Sequence, residues 1–298
     1  MISILIPTYN YTVFALVENL QKQCERANVV YEILVLDDAS TDKRSLKENS
    51  KINLLKQCSF QILDKNIGRS KIRNLLAVKA TYDWLLFLDA DTFPSSSEYI
   101  EKYLDAFSNK TSVIFGGIAY PKNDSKQYSL RYKYGIERES LSLAERIKNP
   151  YRSFITMGFA IKKEIFKTIK FNEKLAGYGY EDSVFGHELQ KNNISLIHID
   201  NAVVHLNLET NDDFIKKSQL ALQNLLKFYN DGSVNSETVK ILKIYLKLKK
   251  WNLRFAVKGF FNVFKHPILK NLNSPKPSLL LFDLYRLGYL SSLNPKDA

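Results

Sequence analysis

Cysteine is nearly absent from this sequence. Only Cys24 and Cys58 occur in 298 residues, in unrelated contexts and outside any metal-ligand spacing. A disulfide framework is thereby excluded, and both are expected to be reduced structural residues of a cytoplasmic protein. Long hydrophobic runs are missing as well. No apolar stretch approaches the roughly 18 residues that a spanning helix needs. The opening residues, Met1-Ile2-Ser3-Ile4-Leu5-Ile6-Pro7, carry neither a basic n-region nor a small-residue cleavage site. They read as the first strand of a fold and not as a signal peptide. Internal repeats and low-complexity tracts are absent too.

Acidic residues are scarce at one end. From Lys240 to Ala298 there are twelve Lys and Arg against two Asp, which accounts for most of the formal net charge of +12. The remainder of the chain is close to neutral, and so large an asymmetry argues for two functional regions. The overall composition, 45% hydrophobic and 25% charged, is that of an ordinary globular protein.

What is present is a regular alternation. Ile2 to Ile6 is a short apolar run of strand length, followed by helical spacing of Val13, Leu16, Val17 and Leu20 within 11–27. Strands are expected at 31–36, 59–63 and 84–88, with helices over 42–57 and 67–80. Strand and helix repeated in this way predict an α/β fold, a mostly parallel sheet with helices on both faces. In such sheets ligands bind beyond the carboxyl ends of the strands. Three of those ends are polar: Pro7-Thr8-Tyr9-Asn10, Asp37-Asp38 and Asp89-Ala90-Asp91. Their side chains are expected to converge on one crevice. After about residue 110 the alternation weakens. Strands are expected at 113–119, 154–161 and within 195–205, and helices at 98–108, 181–191, 216–229, 236–250 and 251–265. Pro267 and the Asn273–Pro277 stretch should break the tail.

Four constellations carry chemistry. Asp89 and Asp91 follow an apolar strand with a small residue between them, so both carboxylates could face one cavity. Hard oxygen ligands of this kind suit Mg²⁺ or Mn²⁺ bridging nucleotide phosphates. Asp also ends strands simply as a turn former or helix cap. In the second, Asp37-Asp38, a carboxylate could accept the imide N–H of a uracil ring, while Asp42 reads as the cap of the next helix. The third, Gly177 to Asp182, combines glycines that permit a tight turn with Glu181 and Asp182 in the first turn of a helix. A carboxylate held there could be a general base, or could merely complement the helix dipole. The fourth is a histidine. His205 closes the apolar run Ala202-Val203-Val204, but His187 and His198 are also available, and chemistry alone does not choose among them.

Taken in order, these elements resemble glycosyltransferase family 2, which has the GT-A fold. The resemblance spans roughly residues 2 to 210. It rests on Ser3–Asn10, Glu32–Asp42, Asn66–Asn74, Leu86–Asp91, Phe171–Leu175, Gly177–Asp182 and Val203–His205. It implies a Rossmann-like sheet with flanking helices over 1–215, with a nucleotide-binding half to about 110 and an acceptor half from 111 to 215. A basic helical extension, 216–298, follows. It implies that Pro7, Thr8, Tyr9 and Asp37 or Asp38 hold the nucleoside, and that Gly68, Arg69 and Arg73 lie near the base or phosphates. Asp89 would contact ribose or metal, with Ala90 beside it. Asp91 and His205 would hold Mn²⁺ or Mg²⁺, and Asp182, or its neighbour Glu181, would deprotonate the acceptor. The implied activity is inverting transfer of a sugar from a nucleotide-diphosphate donor, a UDP-sugar first, to a glycan or lipid-linked glycan hydroxyl in surface polysaccharide assembly. The sequence departs from the family pattern at Tyr180, where a second glycine is common, and at Ser183–Leu189, which lacks the usual acid and arginine.

Residues 240–298 fall outside the resemblance. Lys243, Lys247 and Lys250 share a helical face, and Trp251, Phe255, Phe260, Phe261 and Phe264 follow. Two readings stand. The segment could lie on an anionic membrane, on the inner face of the cell membrane beside a lipid-linked acceptor, or it could pack on the core with its lysines solvated. Nucleic acid is not expected, because no recognised binding module appears. Two rival functions also stand. A sugar-nucleotide nucleotidyltransferase shares the parallel sheet and acidic ligands, but usually opens with a Gly-rich loop. A catalytically inactive binding module would not need the acids at 89, 91 and 182 or His205.

Overall fold

A computed structural model describes residues 1–175 and 179–293. Gly177 and Tyr178 of the expected glycine turn therefore lie outside the described residues. The described chain forms two compact units, each assembled from separate segments.

The first unit comprises Met1–Pro121, Glu139–Glu173 and Phe185–Asn207. Its first four strands are β1 (Ile2–Thr8), β2 (Tyr31–Asp37), β3 (Cys58–Ile62) and β4 (Trp84–Leu88). In β1, Ile2, Ile4, Leu5 and Ile6 are all fully buried. A run apolar on both faces suits a central parallel strand. Burying each such side chain contributes roughly 1.5–3 kcal/mol. β1 pairs in parallel with β2 from Ile2 opposite Tyr31, and with β4 from Ile2 opposite Trp84. The sheet order is β3-β2-β1-β4 and onward, so the chain reverses its direction of travel at β1.

Helices α1 (Phe14–Arg26), α2 (Lys43–Asn49) and α3 (Arg69–Lys79) connect these strands. Asp42 caps α2 as expected, accepting from the amides of Arg44 and Ser45. That helix stops at Asn49 instead of reaching 57, and tightens into one 3-10 turn over Ser50–Leu54. The Asn49 side chain is engaged elsewhere: it accepts from Val13 N at 2.8 Å and donates to Tyr11 O at 2.9 Å.

Beyond β4 come β5 (Thr92–Pro94), α4 (Tyr99–Ala106), β6 (Val113–Phe115), β7 (Ile118–Ala119), α5 (Ser129–Tyr134), α6 (Leu143–Lys148), β8 (Gly158–Lys162) and α7 (Lys163–Thr168). Next are α8 (Glu181–Lys191), β9 (Leu196–His198) and β10 (Val203–His205). β8 inserts antiparallel between β4 and β6, and β9 adds parallel to β6, giving seven strands that are mostly parallel. β5, β10 and β7 form a separate three-stranded sheet. The expected strand over 113–119 is thus two strands. Gly116 and Gly117 divide it, because a Cβ on Gly116 would lie 2.0 Å from Asn201 O and Gly117 has φ +102°. The chain leaves one sheet there and enters the other. The expected strand at 154–161 is also shorter. Phe154 instead stacks edge-on against Phe115 and Phe159 in an aromatic cluster with Phe87, Phe166, Phe171 and Phe185.

The second unit comprises Lys122–Arg138, Lys174–Val184 and the residues from Leu208 onward. Here lie α9 (Asn211–Asn230), α10 (Lys240–Lys250), α11 (Arg254–Leu272) and α12 (Leu279–Ser292). One core gathers Leu222, Leu225, Leu226, Leu242, Tyr245 and Leu290. Another gathers Phe214, Phe261, Ile268, Leu272, Phe282 and Tyr285. Two tail expectations need correction. α11 runs through Pro267 instead of ending there. Pro267 is exposed, while Ile268 and Leu272 beyond it are buried against α12, so packing holds the helix past the missing N–H. The extension is helical as expected, but α12 was not among the helices named for it. This helix packs on α11 closely enough that a Cβ on Gly288 would lie 2.5 Å from the Phe261 ring. Among the described residues no helix is long and apolar enough to cross a membrane.

Candidate active site

The reversal at β1 opens a crevice between the carboxyl ends of β1 and β4, the place where such sheets bind ligands. A cavity of about 220 Å³ lies there. It is lined by Pro7 and Thr8 at the end of β1 and Tyr9 just after it, Asp38 after β2, Arg69 and Arg73 on α3, and Asp89, Ala90 and Asp91 after β4. These are nine of the residues that the sequence suggested. Three more complete the lining: Tyr11, Ile72 and Asn207. Tyr11 and Asn207 each sit within two residues of a suggested position, so a wider window would have caught them. Ile72 had no signal beyond helical spacing.

Beyond β2 the two aspartates divide. Asp37 is fully buried and its carboxylate is taken up by Ser40, through the amide at 2.7 Å and the hydroxyl at 2.6 Å. Asp38 reaches the cavity wall. Its two oxygens accept from Ile67 N at 2.7 Å and Gly68 N at 2.9 Å, and its carbonyl accepts from Asn66 Nδ2 at 3.0 Å. Asp38 thereby clamps the loop that starts α3. Gly68, at φ +88°, takes a backbone conformation that side chains disfavour. Each carboxylate oxygen keeps a second lone pair, so Asp38 can still accept from a ligand. Asn10 ties the neighbouring loop in place, accepting from Thr41 N and Asp42 N at 2.8 and 3.0 Å.

Beyond β4 the chain makes a tight turn. Asp89 O accepts from Thr92 N at 3.2 Å and from Thr92 Oγ1 at 2.7 Å, which lifts Ala90 to the apex. The Asp89 carboxylate is ion-paired with Arg73, whose side chain is 3% exposed, and lies 3.8 Å from Arg69. Asp91 points differently. β5 pairs with β10 so that Thr92 faces His205, and Leu206 N donates to Asp91 O at 2.8 Å. That register sets His205 Nε2 3.2 Å from Asp91 Oδ2. Tyr120 stands edge-on to the His205 ring at 5.5 Å. His205 Nδ1 is buried with no hydrogen-bond partner among the described residues, so strand pairing and Tyr120 orient the ring. Burial alone would raise the Asp91 pKa, but the His205 hydrogen bond and the charges of His205 and Arg69 outweigh it and hold the carboxyl below its ordinary range. Burial, then the Asp91 charge, pushes the Tyr11 phenol up.

The donor set fits a hard divalent ion. Two ligands each about 2.1 Å from one ion at a right angle would be about 3 Å apart, close to the Asp91–His205 spacing. Among the described residues no group of three or more His, Cys, Asp or Glu gathers. Other coordination positions would then belong to water and phosphate oxygens, as Mg²⁺ commonly requires.

Glu181 and Asp182 open α8 in the second unit. Gly179 N donates to Glu181 Oε2 at 3.0 Å, so one Glu181 oxygen braces its own turn. Gly179 (φ +104°) and Tyr180 (φ +69°) are both left-handed. Tyr180 accepts that strain at the position where glycine is common, and its hydroxyl accepts from Arg286 Nη2 at 3.1 Å.

A family model described as "Glycosyl transferase family 2" matches residues 3–170, more than half of the chain. Two curated relatives from Haemophilus influenzae, each described as an uncharacterized glycosyltransferase, are 28% identical. One match covers 131 residues, 44% of this chain and 52% of the relative. The other covers 177 residues, 57% and 55%. The chain thus spans about half the length of these relatives. Among solved structures, mannosyltransferase PcManGT from Pyrobaculum calidifontis, in complex with GDP-Man and Mn²⁺, aligns with a TM-score of 0.55 at 17% identity. It covers 81% of this chain and 68% of its own. S. aureus TarS aligns at 0.52 and 18%, covering 96% and 54%. At such identities the likeness establishes the fold, which is GT-A.

Proposed function

Because the chain belongs to glycosyl transferase family 2, we propose that it moves a sugar from a nucleotide-diphosphate donor to a hydroxyl of a glycan or lipid-linked glycan, inverting the anomeric centre. One observation carries this reading: a single cavity beyond β1 and β4 is lined by Asp38 together with Arg69, Asp89 and Asp91, an acceptor suited to a base beside a cation and acids suited to phosphates and their metal. Asp38 would accept from the base, with Pro7, Thr8 and Tyr9 beside the ring. Arg69, half exposed, would reach the phosphates. Arg73 has a different task. It holds the Asp89 carboxylate, which leaves Asp89 for the ribose and for ordered water near the ion.

Asp91 and His205 would hold Mn²⁺ or Mg²⁺, which when bound neutralises charge on the departing diphosphate. The rest of the chemistry is a single displacement. The acceptor oxygen attacks the anomeric carbon from the face opposite the diphosphate, the carbon–phosphate-oxygen bond breaks, and the hydroxyl proton passes to the Asp182 carboxylate. Asp182 is preferred to Glu181 on the Glu-Asp motif that the sequence shares with the family.

Thermal-shift screening of UDP- and GDP-sugars, with and without Mn²⁺, tests the donor. Product analysis tests the reaction. Release of nucleoside diphosphate with glycosylated acceptor is expected. Release of pyrophosphate would instead mark a nucleotidyltransferase, and absence of any donor shift would leave an inactive module.

A further inference from the structure

Helix α11 reverses the usual arrangement of a surface helix. At 100° per residue, its buried positions Phe261, Ile268 and Leu272 fall within an arc of about 40°. The opposite side should be polar. It is mostly apolar. Phe255, Ala256, Phe260, Val263 and Pro267 share it with Gly259, Asn262 and His266, and all are exposed, Phe255 at 74% and Val263 at 70%; Phe264, also exposed, stands at its edge, about 60° from the buried centre. From Phe255 to Pro267 no Lys, Arg, Asp or Glu stands on that half of the helix. The cations turn toward its flanks instead: Arg254 donates to Ser291 O at 2.9 Å, and Lys265 lies over the Phe261 ring. Exposed Trp251 and Leu253 extend the apolar surface into the turn before α11.

The charge around this face is one-sided. Between Lys240 and Leu272 there are nine Lys and Arg and no Asp or Glu. Lys240, Lys243, Lys247, Lys249 and Lys250 on α10 are all exposed. A second copy of the chain would bring an equally cationic surface against this one, so self-association is opposed. Nucleic acid would meet the lysines, and a single strand would stack on the phenylalanines, but it would gain nothing from the aliphatic Leu253, Val263 and Pro267 exposed beside them. An anionic bilayer satisfies both halves of the pattern, phosphates for the lysines and acyl chains for the rings.

We propose that α11 lies flat in the interface of an anionic membrane, its Phe255–Pro267 side among the acyl chains and the α10 lysines at the headgroup phosphates. The attachment is peripheral, and it stands independently of which reaction the first unit performs.

Flotation of the full chain with vesicles tests it. Vesicles of phosphatidylglycerol and phosphatidylethanolamine are expected to carry the protein up the gradient, with the Trp251 emission shifted to the blue. Vesicles of phosphatidylcholine alone are expected to carry little. The triple change Phe255→Ser, Val263→Ser and Phe264→Ser should weaken binding by more than tenfold while leaving the thermal transition in place, because all three side chains are exposed. Changing Lys247, Lys249 and Lys250 to Gln should weaken it by roughly fivefold per lysine, more than Lys243, which is paired with Glu237, and added salt should weaken it too. Failure to float with anionic vesicles, or binding that survives the triple change, overturns the proposal. A concentration-dependent oligomer dissolved by that change would assign the face to a second copy instead.

Discussion

Acidification should loosen this protein at one buried histidine before most carboxylates titrate. His198 ends β9 and is 8% exposed. Its Nδ1 faces Arg146 Nη1 at 3.3 Å, and its Nε2 faces Pro150 O at 3.1 Å. Arg146 can only donate, so Nδ1 accepts, and Nε2–H donates to the carbonyl. Both partners are satisfied by neutral imidazole. A proton on Nδ1 would lose the Arg146 bond and set two cations side by side. Burial, then the Arg146 charge, therefore presses the His198 pKa down to about 4, with the Pro150 bond opposing weakly. In the unfolded chain the group titrates near the ordinary value of about 6.5. Between these two values the unfolded state binds more protons, so stability falls as pH falls. The gap is worth about 3 kcal/mol, present above the unfolded value and lost on approaching the folded one. The consequence reaches the site. Arg146 also donates to the carbonyls of Phe115, Gly116 and Ile199. Those residues lie where the chain leaves the large sheet for the small one that presents His205. Urea unfolding measured at intervals from about pH 7 to 4 checks this, comparing the natural chain with His198→Gln. Gln can keep both hydrogen bonds without titrating. The natural chain should lose about 3 kcal/mol more than the variant across that window. Parallel curves would refute the account, whatever the variant's absolute stability.

Three other outcomes follow from the site. Arg73→Met should cost roughly 3 kcal/mol of stability, somewhat relieved by Arg69, because Asp89 loses its buried partner; adding Asp89→Asn should recover most of it, and equal costs for single and double variants would contradict the pairing. Asp182→Asn should abolish transfer while leaving donor affinity nearly unchanged, measured by product formation alongside calorimetry, and an active variant would remove Asp182 from the role of base. His205→Ala and Asp91→Ala should each erase the dependence of donor binding on Mn²⁺ in thermal-shift titrations, whereas a metal response kept in either variant would remove that residue from the ion's ligands.

Much of the nucleotide-binding half was legible because its signals are local. An apolar run such as Ile2–Ile6, followed by Pro7-Thr8-Tyr9-Asn10, declares both a buried strand and its polar end. Asp42 declares a cap. The later elements were less legible because their lengths depend on what they meet. Gly116-Gly117 reads as part of a strand until Asn201 is found 2.0 Å from where a Cβ would stand. Pro267 reads as a breaker until Ile268 and Leu272 are found buried beyond it. α12 is apolar on most positions, so its period is weak, and only its packing on α11 makes it a helix with a defined inner face.

The seven motifs and their order, by themselves, determined the family, the α/β class and which acids and histidine to suspect, because strand periodicity and strand-end chemistry are properties of a few neighbouring residues. Three decisions belonged to tertiary structure. Asp38 reaches the cavity beside the loop before α3, which its carboxylate holds through Ile67 N and Gly68 N, 29 and 30 residues further on. Asp89 is claimed by Arg73, sixteen residues earlier on α3. Asp91 meets His205, 114 residues away, only because β10 pairs with β5. Each depends on which distant groups compete for a carboxylate's lone pairs, and no local pattern of residues carries that information.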